Sequence, residues 1–232
     1  MNLLAIDTFG ALLSAAVLSN NDIHYMETDT EMKHSELVME YIDTLMKKAS
    51  LKPEQLNGVL CMKGPGSFTG LRIGYSIAKG LALSLSIPFA PVPTLDCVAL
   101  ENESDKNGIL LAIIEARKNA YFYAFFEDGK RLTSDTDGEL QDLITDIKTK
   151  QLETGKKIII KGPGALRAFD SFPKDVQDNT ILESERKGYA KEIITVAQKL
   201  KILDNDLNAY LHSGPDYIRR SDAEAELARR VK

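Results

Sequence analysis

The 232-residue sequence contains no tryptophan, two cysteines and three histidines, and each scarcity removes a class of function. Cys61 and Cys97 form neither a CxxC pair nor a metal-binding spacing. Both sit in apolar stretches (VLCM and LDCVAL), as buried thiols in a reducing compartment do. His24, His34 and His212 make no HExxH or HxxxH pair, so the sequence does not encode a helix-borne zinc or iron site. His34, directly before Ser35, is placed at a helix N-terminus. Long uncharged runs are also scarce. The longest, Gly80–Leu95, holds three prolines and is too short to span a bilayer. The opening MNLLAIDTFG has no positively charged leader, so no signal peptide is expected and the protein is read as cytoplasmic. An excess of basic residues is missing too. Lys and Arg number 29 against 34 Asp and Glu, a net charge of −5, which disfavours autonomous binding to nucleic acid.

What is present is an ordinary globular composition, 44% hydrophobic and 27% charged, enough to bury a core and to exclude disorder and collagen-like repetition. Leu3–Ile6 and Ala11–Leu18 read as strands around the turn Asp7–Gly10, and Asn20-Asn21-Asp22 is a hairpin signal before Ile23–Thr28. His34–Ser50 repeats apolar residues at helical spacing. Gly58–Met62 reads as a buried strand, KGPGSFTG as a glycine-rich loop, and Leu71–Leu85 as a helix rich in small residues. Phe89–Val92 is a strand and Thr94–Glu101 a short helix. The polar run at 101–108 (ENESDKNG) is the best domain boundary. Beyond it the pattern begins again: strands Ile109–Ile114 and Tyr121–Phe126, a turn at Asp128-Gly129, a helix Leu140–Ile147, a strand Lys157–Lys161, GPG at 162–164 leading into a short helix, and a helix Ala190–Leu203. The expected division is therefore an N-terminal lobe 1–102, a C-terminal lobe 103–210 and a tail 211–232 returning to the N-terminal lobe, the lobes being small α/β units.

Three constellations could carry chemistry. In KGPGSFTGLRIG, glycines between a strand and a helix suit either a phosphate cradle or a tight structural turn, and the string matches neither GxxxxGK[ST] nor GxGxxG. Asp7 and Thr8, at the end of a strand, suit either a metal–phosphate complex or an Asx-turn. With them, Gly64, Gly66, Ser67, Gly162 and Gly164 make up the candidate nucleotide-contacting set. The third is a helix pair. Gly74, Ala78 and Ala82 leave one face nearly bare, and Leu37, Val38, Tyr41, Ile42 and Leu45 form an apolar stripe. With Arg72 and Tyr75 these are the candidate partner interface, weighed against a core reading. Glu115-Ala116-Arg117 at a strand end is either a ligand crevice or a surface ion pair. No GxSxG elbow and no nucleophile–base pair can be named.

The string GPGSFTGLRIG resembles the signature of the TsaB (YeaZ) family. The opening LLAIDTFGALLSAAVL, the stretch HSELVMEYIDTLM, the central IIEARKNAYFYAFFEDGK and the closing GPDYIRRSDAE extend the resemblance over nearly the whole chain; the family usually has Asp-Ala-Arg where this sequence has Glu115-Ala116-Arg117. The resemblance implies a two-lobed actin-like (ASKHA) α/β fold, each lobe built on a βββαβα-type core. It also implies a non-catalytic subunit that binds the larger TsaD protein, with the small ATPase TsaE joining, in making threonylcarbamoyladenosine next to the anticodon of tRNAs that read codons beginning with A. TsaD carries the metal and its HxxxH motif, which this chain lacks. On this reading tRNA is met only through the complex, the isolated chain forms homodimers, and ATP or ADP is a candidate ligand at the complex interface. The alternative is an autonomous ASKHA-type ATPase or phosphotransferase. The older glycoprotease label implies a metalloprotease, for which no motif is present.

Overall fold

The computed structural model describes residues 1–30, 33–100, 108–183, 186–204, 210 and 212–218. Residues 101–107 of the expected lobe boundary at 101–108 and the tail beyond 218 lie outside the described residues.

Asn20 and Asn21 take left-handed φ values of 50° and 70°, which a two-residue hairpin needs and asparagine tolerates. They fold β2 (Leu12–Ser19) onto β3 (Asp22–Asp29). With β1 (Leu3–Asp7), β4 (Gly58–Gly64) and β5 (Phe89–Pro93), these strands form one sheet in the order β3-β2-β1-β4-β5. Its hairpin strands are antiparallel, while β1, β4 and β5 run parallel. Parallel neighbours need crossovers, supplied by α1 (His34–Lys48) and α2 (Phe68–Leu85); α3 (Thr94–Val98) follows β5.

The second half repeats the plan. Asp128 and Gly129, at φ 48° and 67°, turn β7 (Ala120–Glu127) into β8 (Lys130–Arg131). β6 (Ile109–Arg117), β9 (Thr136–Glu139), β10 (Ile158–Lys161) and β11 (Thr180–Glu183) complete a sheet ordered β11-β10-β6-β7-β8, with β9 also pairing β7. The helices are α4 (Leu140–Thr154), α5 (Ala165–Asp170), α6 (Lys174–Gln177) and α7 (Ala190–Lys199). Apart from β9 and α6, each half reads βββαβαβα, one strand and one helix longer than the expected core. Both β4 and β10 run into Lys-Gly-Pro-Gly, and Gly64 and Gly162 share a φ of 120°.

Strand alternation sorts the core into layers. Leu4 and Ile6 face α1 and α2, whereas Leu3 and Ala5 face inward. In β6, Ile109, Leu111 and Ile113 face α4–α6, while Leu110, Ala112 and Ile114 face inward. Both central strands are covered on both faces, which is why they read as unbroken apolar runs. Between the sheets lie α3 and α7, and Ile193, Ile194, Val196 and Ala197 of α7 join residues of both halves in one buried cluster. Each buried isoleucine there contributes about 1.5–3 kcal/mol. A helix late in the chain thus seals the first sheet to the second.

Three departures from the sequence reading have local causes. Helix α2 starts at Phe68 instead of Leu71, because Ser67 caps it by accepting the Gly70 N–H at 3.2 Å. Its first turn is hidden among the glycines. Strands β9 (TDGE) and β11 (TILE) are short, and pairing with β7 and β10, not propensity, makes them strands. Helix α4 runs on to Thr154, ended by Gly155 in the left-handed conformation.

Candidate functional site

Asp7 ends β1, where a metal–phosphate ligand was one expectation. Its carboxylate is 1% exposed and fully engaged. Oδ1 accepts the Phe9 N–H at 3.1 Å, an Asx-type turn, while Oδ2 accepts the Ser14 hydroxyl at 3.1 Å and the Tyr189 N–H at 2.7 Å. Ser14 Oγ in turn accepts the Ala190 N–H at 3.0 Å. Helix α7 has no cap from its own Tyr189 side chain, so Asp7 and Ser14 satisfy its first N–H groups from across the molecule. Burial pushes the Asp7 carboxyl up to about 6 against these hydrogen bonds.

The other residues of the nucleotide set are committed to the chain in the same way. Thr8 donates its hydroxyl to the Gly70 carbonyl at 2.7 Å. A Cβ at Gly64 would strike the Asp216 carbonyl, one at Gly66 the Phe9 ring, one at Gly162 the Ile113 carbonyl, and one at Gly164 the Glu115 amide. Ser67 is exposed and caps α2. The glycines and Ser67 lie in two pseudo-equivalent loops, but close packing against their own chain accounts for each glycine. A metal–phosphate group at Asp7 does not fit, since its oxygens are bonded and α7 covers them. Among the described residues no group of three or more His, Cys, Asp or Glu is arranged to hold a metal ion.

The expected partner interface needs correction. Val38, Ile42, Leu45, Gly74, Tyr75, Ala78 and Ala82 are buried within the isolated chain, packed on the outer face of the first sheet. The bare face of Gly74 lets α2 approach Thr8 and Cys61, whose atoms a Cβ at Gly74 would meet. Leu37 and Tyr41 are half-buried at the edge of that cluster, and Arg72 is exposed. The outward face of α2 carries a second small series, Ser76, Gly80 and Ser84, all exposed. A Cβ at Gly80 would meet nothing within 4 Å. Around this series stand Leu83 and, on α1, Met39, 62% and 50% exposed, with Ile73 half-buried.

Other polar features fall on ion pairs and caps. Arg167 holds Glu115 at 2.5 Å and Arg117 reaches Glu139 at 3.5 Å, so the Glu-Ala-Arg stretch forms surface pairs. His34 opens α1, its buried ring bridging the Thr30 hydroxyl at 2.6 Å and the Gly10 carbonyl at 3.0 Å. Sequence reasoning missed Arg131, which pairs with both Asp96 and Asp135 and so ties α3 to the second sheet. Burial raises the Asp135 carboxyl against that pairing. A cavity of about 430 Å³ opens beside this group, lined also by Lys63, Gly64 and Asp216. Residues 213–217, part of the tail expected to return to the N-terminal lobe, dock on α2 and its preceding loop. The motif GPDYIRR was visible, but a single sequence does not say which residues of that lobe such a segment touches.

A family model described as "TsaD: tRNA N6-adenosine threonylcarbamoyltransferase" matches residues 16–226. The chain is 30% identical to the tRNA threonylcarbamoyladenosine biosynthesis protein TsaB of Escherichia coli over 98% of each chain. It is 27% identical to the Bacillus subtilis protein of that name over 97% of each. A tRNA N6-adenosine threonylcarbamoyltransferase of Nitratidesulfovibrio vulgaris is 24% identical over 83% of this chain and 56% of its own length. Among solved structures, YeaZ from Pseudomonas aeruginosa superposes with a TM-score of 0.74 at 18% identity, covering 94% of this chain and 99% of that one. That likeness shows the two-lobed fold.

Proposed function

Because the chain belongs to the TsaB (YeaZ) family of tRNA threonylcarbamoyladenosine biosynthesis, we propose that it is a non-catalytic subunit that docks a TsaD-type transferase through the outer face of α1 and α2. The observation that carries this reading is the outward series Ser76–Gly80–Ser84 with exposed Leu83 and Met39 beside it. Small residues let a partner helix come close, and the large apolar side chains supply area to bury. The transferase relative shares sequence with most of this chain, so a partner of like fold offers a like helix pair, and the two pairs pack as a four-helix layer. In the isolated chain the same face pairs with a second copy. TsaE joins once the transferase is bound, and tRNA, kept off by the net charge of −5, is met through the complex.

An autonomous ATPase or phosphotransferase is disfavoured by Asp7, whose oxygens cap α7 instead of facing an open cleft. The test is reconstitution of threonylcarbamoyl transfer to tRNA with purified TsaD, TsaE and the adenylate-forming enzyme. Modification should require this chain and fail with Gly80→Leu. Full modification without it, or with a Gly80→Leu protein that no longer binds TsaD, refutes the reading.

A further inference from the structure

Residues Ser213–Ile218 lie along the flank of α2 and the loop before it, held by contacts of a recognisable kind. The Asp216 N–H donates to the Lys63 carbonyl at 2.8 Å, continuing the end of β4. Its carboxylate meets Lys63 Nζ at 2.6 Å. The Tyr217 ring stacks on Phe68 with centroids 4.8 Å apart, and its hydroxyl accepts Arg72 Nε–H at 3.0 Å. The Arg72 guanidinium lies 3.8 Å over the Phe68 ring, and Lys79 donates to the Ser213 carbonyl. Three cations and an aromatic platform thus read one backbone group, one carboxylate and one phenol. The buried Tyr75 hydroxyl lies beside Ser213, Asp216 and Tyr217, and Ser213 is its side-chain hydrogen-bonding neighbour.

The docked side chains are nonetheless exposed, Tyr217 at 39% and Ile218 at 38%. Solvent-exposed ion pairs and stacked rings are individually weak. A segment held this way detaches without unfolding the lobe beneath it.

We propose that Lys63, Phe68, Arg72 and Lys79 form a peptide-recognition site for an extended aspartate–aromatic segment, and that the chain's own Asp216–Tyr217 occupies it as an intramolecular ligand. The partner it fits is a protein presenting that motif, which binds by displacing the strap. Complementarity is threefold: carboxylate to Lys63, ring on Phe68 with its hydroxyl to Arg72, backbone to β4. The inference stands on this flank alone and is independent of the outward face assigned to TsaD.

The strap competes as a tethered ligand. A short tether gives an effective concentration of about 1 mM, so for an intrinsic Kd of about 100 µM an added peptide binds the intact chain about tenfold more weakly than a chain whose strap is disabled. The test uses the full chain and a fluorescein-labelled heptapeptide of sequence His212–Ile218, read by anisotropy. The Asp216→Ser/Tyr217→Ala protein should bind it about tenfold more tightly than wild type. Adding Lys63→Ala and Arg72→Ala should abolish binding, as should replacing aspartate by lysine in the peptide. Equal binding by wild type and the strap-disabled protein overturns the proposal, as does binding that survives loss of Lys63 and Arg72. Thermal melting runs beside each titration, and the single variant Tyr217→Ala, which changes one exposed side chain, repeats it with the same expected direction.

Discussion

Two substitutions two residues apart on α2 separate core from interface. Ala78 is fully buried against the first sheet, while Gly80 is exposed with open space where a Cβ would stand. Ala78→Leu forces three extra carbons into a filled layer, an overpacking that costs about 1–3 kcal/mol. For a domain of this size each kcal/mol shifts Tm by about 2–4 °C, so melting should fall by about 2–12 °C. Gly80→Leu adds its side chain to solvent and removes a helix-interior glycine, a gain of about 0.5–1 kcal/mol and a rise of about 1–4 °C. Its effect on association is the reverse, since a leucine at the point of closest approach holds a partner helix off. Calorimetric melting of both variants, with a pull-down on TsaD, reads the two axes. Expected is a destabilised Ala78→Leu that still binds in proportion to its folded fraction, and a fully folded Gly80→Leu that does not bind. An Ala78→Leu protein that melts as wild type but loses TsaD would return the interface to Gly74, Ala78 and Ala82 and refute the assignment.

The remaining predictions follow from the interior. The Asp7 carboxyl is raised from 3.8 to about 6, so the folded chain takes up this proton more readily than the unfolded one. This residue's contribution to stability is greatest below about pH 4 and is lost as pH rises through about 6, a difference of about 3 kcal/mol. Urea midpoints across that window should slope less steeply for Asp7→Asn than for wild type, and an unchanged slope would show that Asp7 is not the group responsible. Gly162→Ala puts a Cβ against the Ile113 carbonyl at a φ of 120°, so soluble yield and Tm should both collapse; a normal melt would contradict the packing. Arg131→Ala leaves Asp96 and Asp135 facing each other, and these pairs are more than two-thirds buried. Denaturant unfolding should show a loss of about 2–4 kcal/mol that Asp96→Asn partly restores.

What the sequence made legible was whatever depends on a single period. β1, β4, β6 and β10 stood out because strands covered on both faces are continuously apolar, and the hairpins because Asn20-Asn21 and Asp128-Gly129 are residues that tolerate left-handed φ. The family signature supplied the two-lobed expectation. Relations across the chain were not legible. Asp7 could be read locally as an Asx-turn, and it does make one, but its bond to Tyr189 spans 182 residues. Nothing in DTFG indicates that the same carboxylate caps a helix from the other half.

Burial of Gly74, Ala78 and Ala82 has a different cause, which bears on how such helices are interpreted. Helix α2 has two small-residue series at the same spacing of four, Gly74–Ala78–Ala82 and Ser76–Gly80–Ser84. The first leaves a face nearly bare of side chains and is also the more apolar, and that apolarity is what sends it inward. A face of Gly and Ala beside Leu71 and Tyr75 can bury against a sheet without stranding a hydroxyl, whereas the Ser-containing face keeps Ser76 and Ser84 in water. Where one helix must serve both its own core and another chain, the more polar of two small faces is therefore the one left for the partner. On α2 that rule selects Gly80, the position at which the core and interface readings give opposite results.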